Sequence, residues 1–272
     1  MRYSNMTLSY IRHNFFKSMG IMFLPTLLLG ILLNPLSIVE IIVSIGKKQG
    51  TYNSFLDIYK KINGYTGAWR FIVIIIAIVI AILCLSMFSG SIRQKMRYGL
   101  DNRGKWSMLG SHLNDNFLPV LKYLLLLFVS LEVLAILLST FLYTTIKLFN
   151  NALPMCLILA FIFLLIELLF LSASLLTVPN MTMKGYGLFK AFGHSVYSLS
   201  AKVFKVFGSI LWIMILMSVP MIILILFPFK GANYLLALFS FFFYWMIASY
   251  VGVLVYVVYF DVEELEREDL KL

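Results

Sequence analysis

The sequence contains few charged residues and very few of the side chains that catalysis usually requires. Only 12% of the 272 residues are charged, and there are only 12 acidic residues and three histidines. No HExxH zinc motif, GxSxG nucleophile motif or phosphate-binding P-loop occurs in it. The few Asp and His residues are scattered and do not predict a hydrolytic site. We therefore expect a protein that is not an enzyme and that uses no cofactor.

The sequence has only two cysteines, Cys84 and Cys156, and both lie inside apolar runs. Cysteines in such runs behave as small buried hydrophobic residues. We therefore predict neither a disulfide nor a redox site of the CxxC type.

Long apolar runs are what the sequence has in abundance. It is 61% hydrophobic, whereas a soluble domain is about half apolar and about a quarter charged. Runs at about 20–45, 69–88, 153–178, 206–227 and 234–260, and one that ends near 143, are long enough to span a bilayer. The first lacks a cleavage site and should remain a transmembrane helix. We predict an all-α integral membrane protein with six transmembrane helices in one transmembrane domain, residues 1–260.

Three basic amphipathic segments precede outward-going spans, at 7–18, from Trp106, and within 178–210. In the third, Leu188 and Phe192 fall on one side of a helix, and Lys190 and His194 fall on the other. This pattern is typical of a helix that lies in the membrane interface. It predicts three parallel hairpin repeats, at roughly 7–88, 106–178 and 187–260, each preceded by a cytoplasmic interfacial helix. Parallel repeats are known in transporters, although duplication of a hairpin needs no transport role.

The three histidines, His13, His112 and His194, lie one in each of these segments. They would form a zinc site only if the repeats converged on one axis. Histidines on the polar side of surface helices are more simply explained as hydrated side chains. We therefore predict no metal site.

The distribution of lysine and arginine predicts the orientation. With the N-terminus in the cytoplasm, cytoplasmic segments hold most of the 22 basic residues, as the positive-inside rule requires. This places both termini of the chain in the cytoplasm and the protein in the cell (inner) membrane. The first outer loop argues against it, because it contains Lys47, Lys48, Lys60 and Lys61. Residues 261–272 form an acidic cytoplasmic tail, which we expect to extend the last span as a solvated helix.

Three segments carry a resemblance to a known group: LSYIRHNFFKSMGIMF, GSHLNDNFLPVLKYLL and VPNMTMKGYGLFKAFGHSVYSLSAKVFKVFGSIL. They resemble the repeated pattern of bacterial polytopic membrane proteins. That group includes the membrane domain that precedes some glycerophosphodiester phosphodiesterases, and stand-alone relatives of unknown function. In the pattern a Val-Pro element ends a span and precedes a glycine-containing turn and an amphipathic helix, matching Val178-Pro179, Gly185 to Gly187 and Phe189 to Phe207. The phosphodiesterase domain does not occur in this sequence, so the resemblance implies an architecture and no hydrolase activity.

Glu132 and Glu167 lie near the middle of the third and fourth predicted spans. A carboxylate at this depth costs roughly 2.5–3.5 kcal/mol on insertion scales, and no Lys or Arg occurs at similar depth. The two side chains are candidates for a proton or cation site, or for a polar contact with a lipid headgroup. They are equally well explained as neutral acids that join two helices by hydrogen bonds. The Asn34-Pro35 step in the first span predicts a kink, or a break that exposes backbone groups.

The basic residues on the predicted cytoplasmic side are candidates for contact with anionic lipid or a partner protein. The candidates are Arg93, Lys95, Arg97, Lys190, Lys202 and Lys205. Because basic residues alternate with spans, we expect membrane lipids as partners, and no nucleic acid.

We expect a non-enzymatic membrane subunit or scaffold of a transport, lipid-handling or cell-envelope system, with another membrane or cytoplasmic protein as a further partner. Two alternatives stay open: a proton-coupled transporter that uses Glu132 and Glu167, and an intramembrane enzyme that acts on a lipid-linked substrate.

Overall fold

The computed structural model describes residues 2–46, 52–64, 68–99, 106–149, 152–227 and 231–270, and these are mostly helical, with no strand among them. This confirms the predicted all-α class. The helices are α1 (Arg2–His13), α2 (Phe15–Leu32), α3 (Ser37–Gly46), α4 (Phe55–Ile62), α5 (Ala68–Tyr98), α6 (Trp106–Leu148), α7 (Leu153–Ser174), α8 (Thr177–Lys184), α9 (Leu188–Leu199), α10 (Val203–Leu226) and α11 (Ala232–Val262), followed by a short 3-10 helix, Glu268–Leu270.

Five helical segments in the described residues are long and apolar enough to cross a membrane: α5, α6, α7 together with α8, α10 and α11. Many of their leucine, isoleucine, valine and phenylalanine side chains are exposed on the outside of the bundle. Such surfaces are stable against lipid and unstable against water. The protein is therefore a multi-pass membrane protein.

The first predicted span is two helices, so six continuous spans are not confirmed. α2 ends at Leu32 and α3 begins at Ser37, because proline disfavours a helical conformation at the residue before it. The Asn34 side chain caps the break: its Oδ1 accepts the Leu36 N–H at 3.0 Å, and its Nδ2 donates to Glu40 Oε1 at 2.7 Å. The apolar part of α2, Gly20–Ile31, is shorter than a span.

The short helix α4 packs antiparallel along α6. At one end the Tyr143 hydroxyl donates to the Asn53 carbonyl at 3.0 Å, and at the other the Asn63 amide donates to Glu132 Oε2 at 3.4 Å. Glu132 and Tyr143 are eleven residues apart in α6, which corresponds to about 16 Å along the helix. Ile58 of α4 is fully buried between these ends. α4 therefore extends along α6 towards the middle of the bundle; Lys47 and Lys48, which precede it, lie outside the described residues.

The three predicted surface helices take three different forms, and the repeat is not confirmed. The first is α1, which covers residues 2–13 instead of 7–18. The second is continuous with the third predicted span, because α6 runs from Trp106 through Pro119 to Leu148. The third is α9, which is a separate helix that follows Gly185 in a left-handed conformation.

α9 buries a side that only partly overlaps the apolar side that its amphipathic pattern predicts. Ala191, Ser195 and Leu199 are its buried residues, whereas Leu188 and Phe192 of the predicted side are half-buried. Small side chains let α9 approach α7 and α8 closely. Phe192 packs at the edge of this contact, with its ring 5.8 Å from that of Phe170.

One end of the bundle brings several basic segments together. Five segments meet there: α1, the end of α5, α8, the start of α10 and the end of α11. Lys184 of α8 and Glu263, which follows α11, form an ion pair of 2.7 Å. We call this the basic end; its described basic residues include Arg2, Arg93, Lys95, Arg97, Lys184, Lys190, Lys202 and Lys205. The largest apolar cluster lies just inside it, with Tyr250, Tyr256 and Phe260 almost fully buried.

The acidic tail does not extend α11 as a solvated helix, contrary to the prediction. α11 ends at Val262, and Glu264 has a positive φ of 53° that turns the chain. The 3-10 helix that follows packs against the end of α5. Arg267 and Asp269, both almost completely buried, form a two-point ion pair of 2.7 and 3.1 Å. This internal pair lets the charged tail fold back onto the bundle.

Candidate functional site

Asp261, near the end of α11, connects three helices at the basic end. Its carboxylate accepts the Tyr3 hydroxyl at 2.6 Å and the Lys202 ammonium at 2.9 Å. The Arg2 guanidinium lies 3.1 Å from its second oxygen. The Asp261 side chain is 16% exposed, so these partners replace most of the water that a carboxylate would otherwise bind.

Tyr3 supports this arrangement through its protonation state. Burial, and then the hydrogen bond to Asp261, raise the pKa of the Tyr3 phenol above its usual range. The hydroxyl therefore remains a donor to the carboxylate at neutral pH.

A second layer of hydroxyl groups lies beneath Asp261. Ser4 of α1 and Ser209 of α10 are hydrogen-bonded at 2.6 Å, and Ser209 is also bonded to the Tyr250 hydroxyl of α11 at 3.1 Å. All three side chains are buried. Because the hydroxyls satisfy one another, they form a polar floor that needs no ligand to complete it.

Above this floor is a pocket of about 500 Å³, which we call the basic pocket. Its lining includes Arg2, Lys202, Lys205, Ser209, Trp212 and Asp261. A volume of this size is typical of small-molecule sites. The pocket holds three cations against one carboxylate, and that carboxylate already has its partners. A ligand there would therefore meet excess positive charge.

The rim of the basic pocket is aromatic as well as basic. Phe204 is 75% exposed and Trp212 is 47% exposed, and both line the pocket. Lys205 is exposed, and the Arg2 side chain is 74% exposed. Exposed aromatic rings beside exposed cations on a membrane protein are typical of the zone where headgroups meet acyl chains.

The structure separates the six basic candidates. Lys202 and Lys205 line the basic pocket together. On α5, Arg93 lies 3.8 Å from Asp115, Lys95 donates to the Asn14 side chain, and Arg97 lies over the Tyr98 ring. Lys190 is exposed, and its ammonium lies 4.5 Å from the centre of the Tyr186 ring. The sequence pattern missed Arg2, Tyr3 and Asp261, which come from the two ends of the chain.

Glu132 is held by α4. Tyr59 donates its hydroxyl to Glu132 Oε2 at 2.6 Å, and this hydrogen bond is the main reason that the pKa of Tyr59 is raised to about 12. The amide of Asn63 reaches the same oxygen at 3.4 Å. Neither partner was predicted, because α4 approaches α6 from far away in sequence. The contact fits a structural role in which Glu132 fixes α4 to the bundle.

Glu167 differs from Glu132. In the part of the chain that the structure describes, it makes no hydrogen bond and no ion pair. It lies on α7 one turn from Leu171, which lines an apolar cavity described below. The two carboxyls are therefore not hydrogen-bonded to each other.

The three histidines have different surroundings. Among the described residues, no group of three or more His, Cys, Asp or Glu could hold a metal ion. His13 is exposed, whereas His112 is buried. His194 lies 3.5 Å from the Lys184 ammonium.

A scan against protein-family models gives no match to the chain, and searches of curated proteins and of solved structures give none either. The resemblance to bacterial polytopic membrane proteins stays a prediction. The function is therefore inferred from the geometry of the basic pocket.

Proposed function

We propose that this protein is a non-enzymatic component of the cell membrane that binds an anionic phospholipid at the cytoplasmic leaflet. The basic pocket supports the proposal, because Arg2, Lys202 and Lys205 bring three positive charges to one carboxylate, Asp261, which can neutralise only one of them. The positive-inside rule assigns the basic end to the cytoplasm. In this role the protein is the lipid-binding subunit of a transport, lipid-handling or envelope system.

The charge of the basic pocket favours a phosphate. Lys202 and Arg2 both pair with Asp261, at 2.9 and 3.1 Å, but the Arg2 side chain is largely exposed, and Lys205 is exposed as well. Arginine offers a fork of N–H donors that matches phosphate oxygens. Each basic residue near an anionic membrane surface contributes about 1 kcal/mol of attraction.

The aromatic rim favours a lipid over free phosphate. Phe204 and Trp212 expose large apolar surfaces beside the cations. Free phosphate has no apolar part to cover them, whereas the glycerol and upper acyl region of a phospholipid does. The pocket thus presents cations for the headgroup and rings for the first part of the chains.

The matched test removes two exposed charges and leaves the link between Lys202 and Asp261 intact. We expect Arg2→Gln/Lys205→Gln to weaken binding of phosphatidylglycerol by about thirtyfold, since two cations of about 1 kcal/mol each are lost. Binding would be measured in detergent with fluorescent phosphatidylglycerol. Lys190→Gln is the control, because Lys190 is equally exposed but lies over Tyr186, outside the basic pocket. Equal losses in the control, or no loss in the double variant, would contradict the proposal.

Proton-coupled transport is the second candidate, and the state of Glu167 favours it. An acidic side chain on a membrane-spanning helix that has no partner among the described residues is a functional candidate by default.

We expect proteoliposomes of the wild type to take up protons under an imposed membrane potential, followed with an internal pH dye. Glu167→Gln should abolish the uptake, because the replacement cannot titrate. Uptake that is the same in wild type, Glu167→Gln and empty liposomes would exclude this candidate.

A further inference from the structure

A second cavity lies inside the bundle, among the membrane-spanning helices. It has a volume of about 260 Å³ and lies between α5, α6, α7 and α11. Its walls include Phe88, Leu124, Leu171, Val251 and Gly252. We propose that this cavity, which we call the apolar cavity, binds one acyl chain of a membrane phospholipid.

The walls of the apolar cavity exclude a polar occupant. Its lining hydroxyls are already paired: Ser89 with Tyr256, and Tyr123 with Ser174 at 3.0 Å. A polar ligand would lose its water and find no free partner. The occupant of the cavity is therefore apolar.

The shape of the cavity favours a chain. Along α11 its lining extends from Ile247 to Tyr256, ten residues whose ends are about 14 Å apart along the helix. A long, narrow apolar space suits an extended hydrocarbon chain better than a compact ring system. Because these helices are surrounded by lipid, acyl chains are also the most abundant apolar molecules at the opening of the cavity.

Small residues of α11 shape one wall of the cavity. Gly252 and Ala248 lie one turn apart and both line the cavity. A Cβ added to Gly252 would lie 2.5 Å from Phe88 Cε1, so the ring of Phe88 occupies the room that the glycine leaves. An acyl chain in this space makes dispersion contacts along the apolar walls.

The end of the cavity near Ser89 leads towards a cation. Arg93 follows Ser89 by one turn of α5 and therefore lies on the same side of that helix. Its side chain is 18% exposed and is separated from Asp115 by 3.8 Å, a loose ion pair. A phospholipid with one chain in the apolar cavity has its phosphate close to Arg93.

The apolar cavity and the basic pocket are separate sites. Asp261 and Tyr250 on one side of α11 belong to the basic pocket and its floor, whereas Gly252 and Tyr256 on another side line the cavity. This inference therefore does not depend on the proposed function.

The test uses a phospholipid that carries a photoreactive diazirine in its acyl chain, incorporated in nanodiscs with the full-length protein. Adducts would be located by peptide mass spectrometry. We expect adducts on Leu124, Leu171 and Val251 of the cavity in the wild type. Ala248→Trp fills the cavity and should reduce these adducts several-fold, while the lipid-facing side chains of Leu125 and Ile162 should be labelled as before.

Ala248→Ser, which keeps the volume, is the matched control and should label like the wild type. If Ala248→Trp does not fold, Val251→Phe from the same wall is measured with adducts at Leu124 and Leu171 as the readout. Cavity adducts that persist in the filled variant, or that are missing from the wild type while Leu125 and Ile162 are labelled, would overturn the proposal. Arg2→Gln/Lys205→Gln should leave the cavity adducts unchanged, which separates this result from the test of the basic pocket.

Discussion

Replacing Gly30 with alanine is expected to destabilise the protein by about 2–3 kcal/mol, the upper range for an overpacked core. Gly30 lies where α2 packs against α11, and an added Cβ would be 2.5 Å from the backbone nitrogen of Phe241. A flexible side chain could move aside, but a helix backbone cannot. The two helices must therefore separate to admit a single methyl group.

Separation of α2 from α11 would also disturb an aromatic cluster. The ring of Phe23 on α2 lies 5.3 Å from that of Phe241 and 5.9 Å from that of Trp245, both on α11. Such contacts depend on the distance between the two helices. We therefore expect the loss in stability to exceed that of an ordinary glycine substitution.

Unfolding in a graded denaturing detergent would measure the effect of Gly30→Ala. Gly20→Ala is the control on the same helix, since a Cβ at Gly20 meets nothing within 4 Å. It should be neutral or slightly stabilising, because alanine favours the helix. Equal stabilities of the two variants would show that α2 and α11 do not pack as described.

Replacing Asp261 with alanine is expected to cost about 2–4 kcal/mol, because it leaves the buried Tyr3 hydroxyl without its acceptor and Lys202 with only the backbone carbonyl of residue 261, at 3.3 Å. The partners are Tyr3 at 2.6 Å and Lys202 at 2.9 Å. α1 would lose its strongest polar contact with α11. We therefore expect faster hydrogen exchange in α1, while the core of α11 remains protected.

One further variant tests the charge of Asp261, and a second is a control at another ion pair. Asp261→Asn keeps an acceptor for the Tyr3 hydroxyl and should give an intermediate loss. Asp115→Ala is the control for an ordinary surface pair, because Asp115 is 57% exposed and lies 3.8 Å from Arg93. Its effect should stay within about 0.5 kcal/mol. Unchanged exchange in α1 of Asp261→Ala would mean that the carboxylate does not hold this helix.

The sequence predicts the continuous spans well, for a simple physical reason. The runs 206–227 and 234–260 became α10 (Val203–Leu226) and α11 (Ala232–Val262). A long apolar run in a bilayer has no other way to satisfy its backbone than to form a helix. Length and hydropathy therefore decide these elements without tertiary information.

Breaks and continuations of helices were harder to predict. The Asn34-Pro35 step predicted either a kink or a break. The structure has a break, across which the Asn34 side chain donates to Glu40. The amphipathic segment from Trp106 was expected to be separate, yet it continues into α6. A change from polar to apolar composition alters the surroundings of a helix and does not stop its hydrogen bonding.

Only part of the basic pocket could be found from the sequence. Lys202 and Lys205 were recognisable, because both belong to a basic stretch beside a span. Their partners were not, because Tyr3 and Asp261 are 258 residues apart, and no periodicity links the two ends of a chain. The contact between Tyr59 and Glu132, 73 residues apart, was missed for the same reason.

The most direct test of the basic pocket is native mass spectrometry of the protein released from its own membrane in mild detergent. Wild type should carry a stoichiometric anionic phospholipid, and Arg2→Gln/Lys205→Gln should lose it while Lys190→Gln keeps it. Protein that carries no lipid, or a zwitterionic lipid that is retained equally by all three forms, would contradict the proposal.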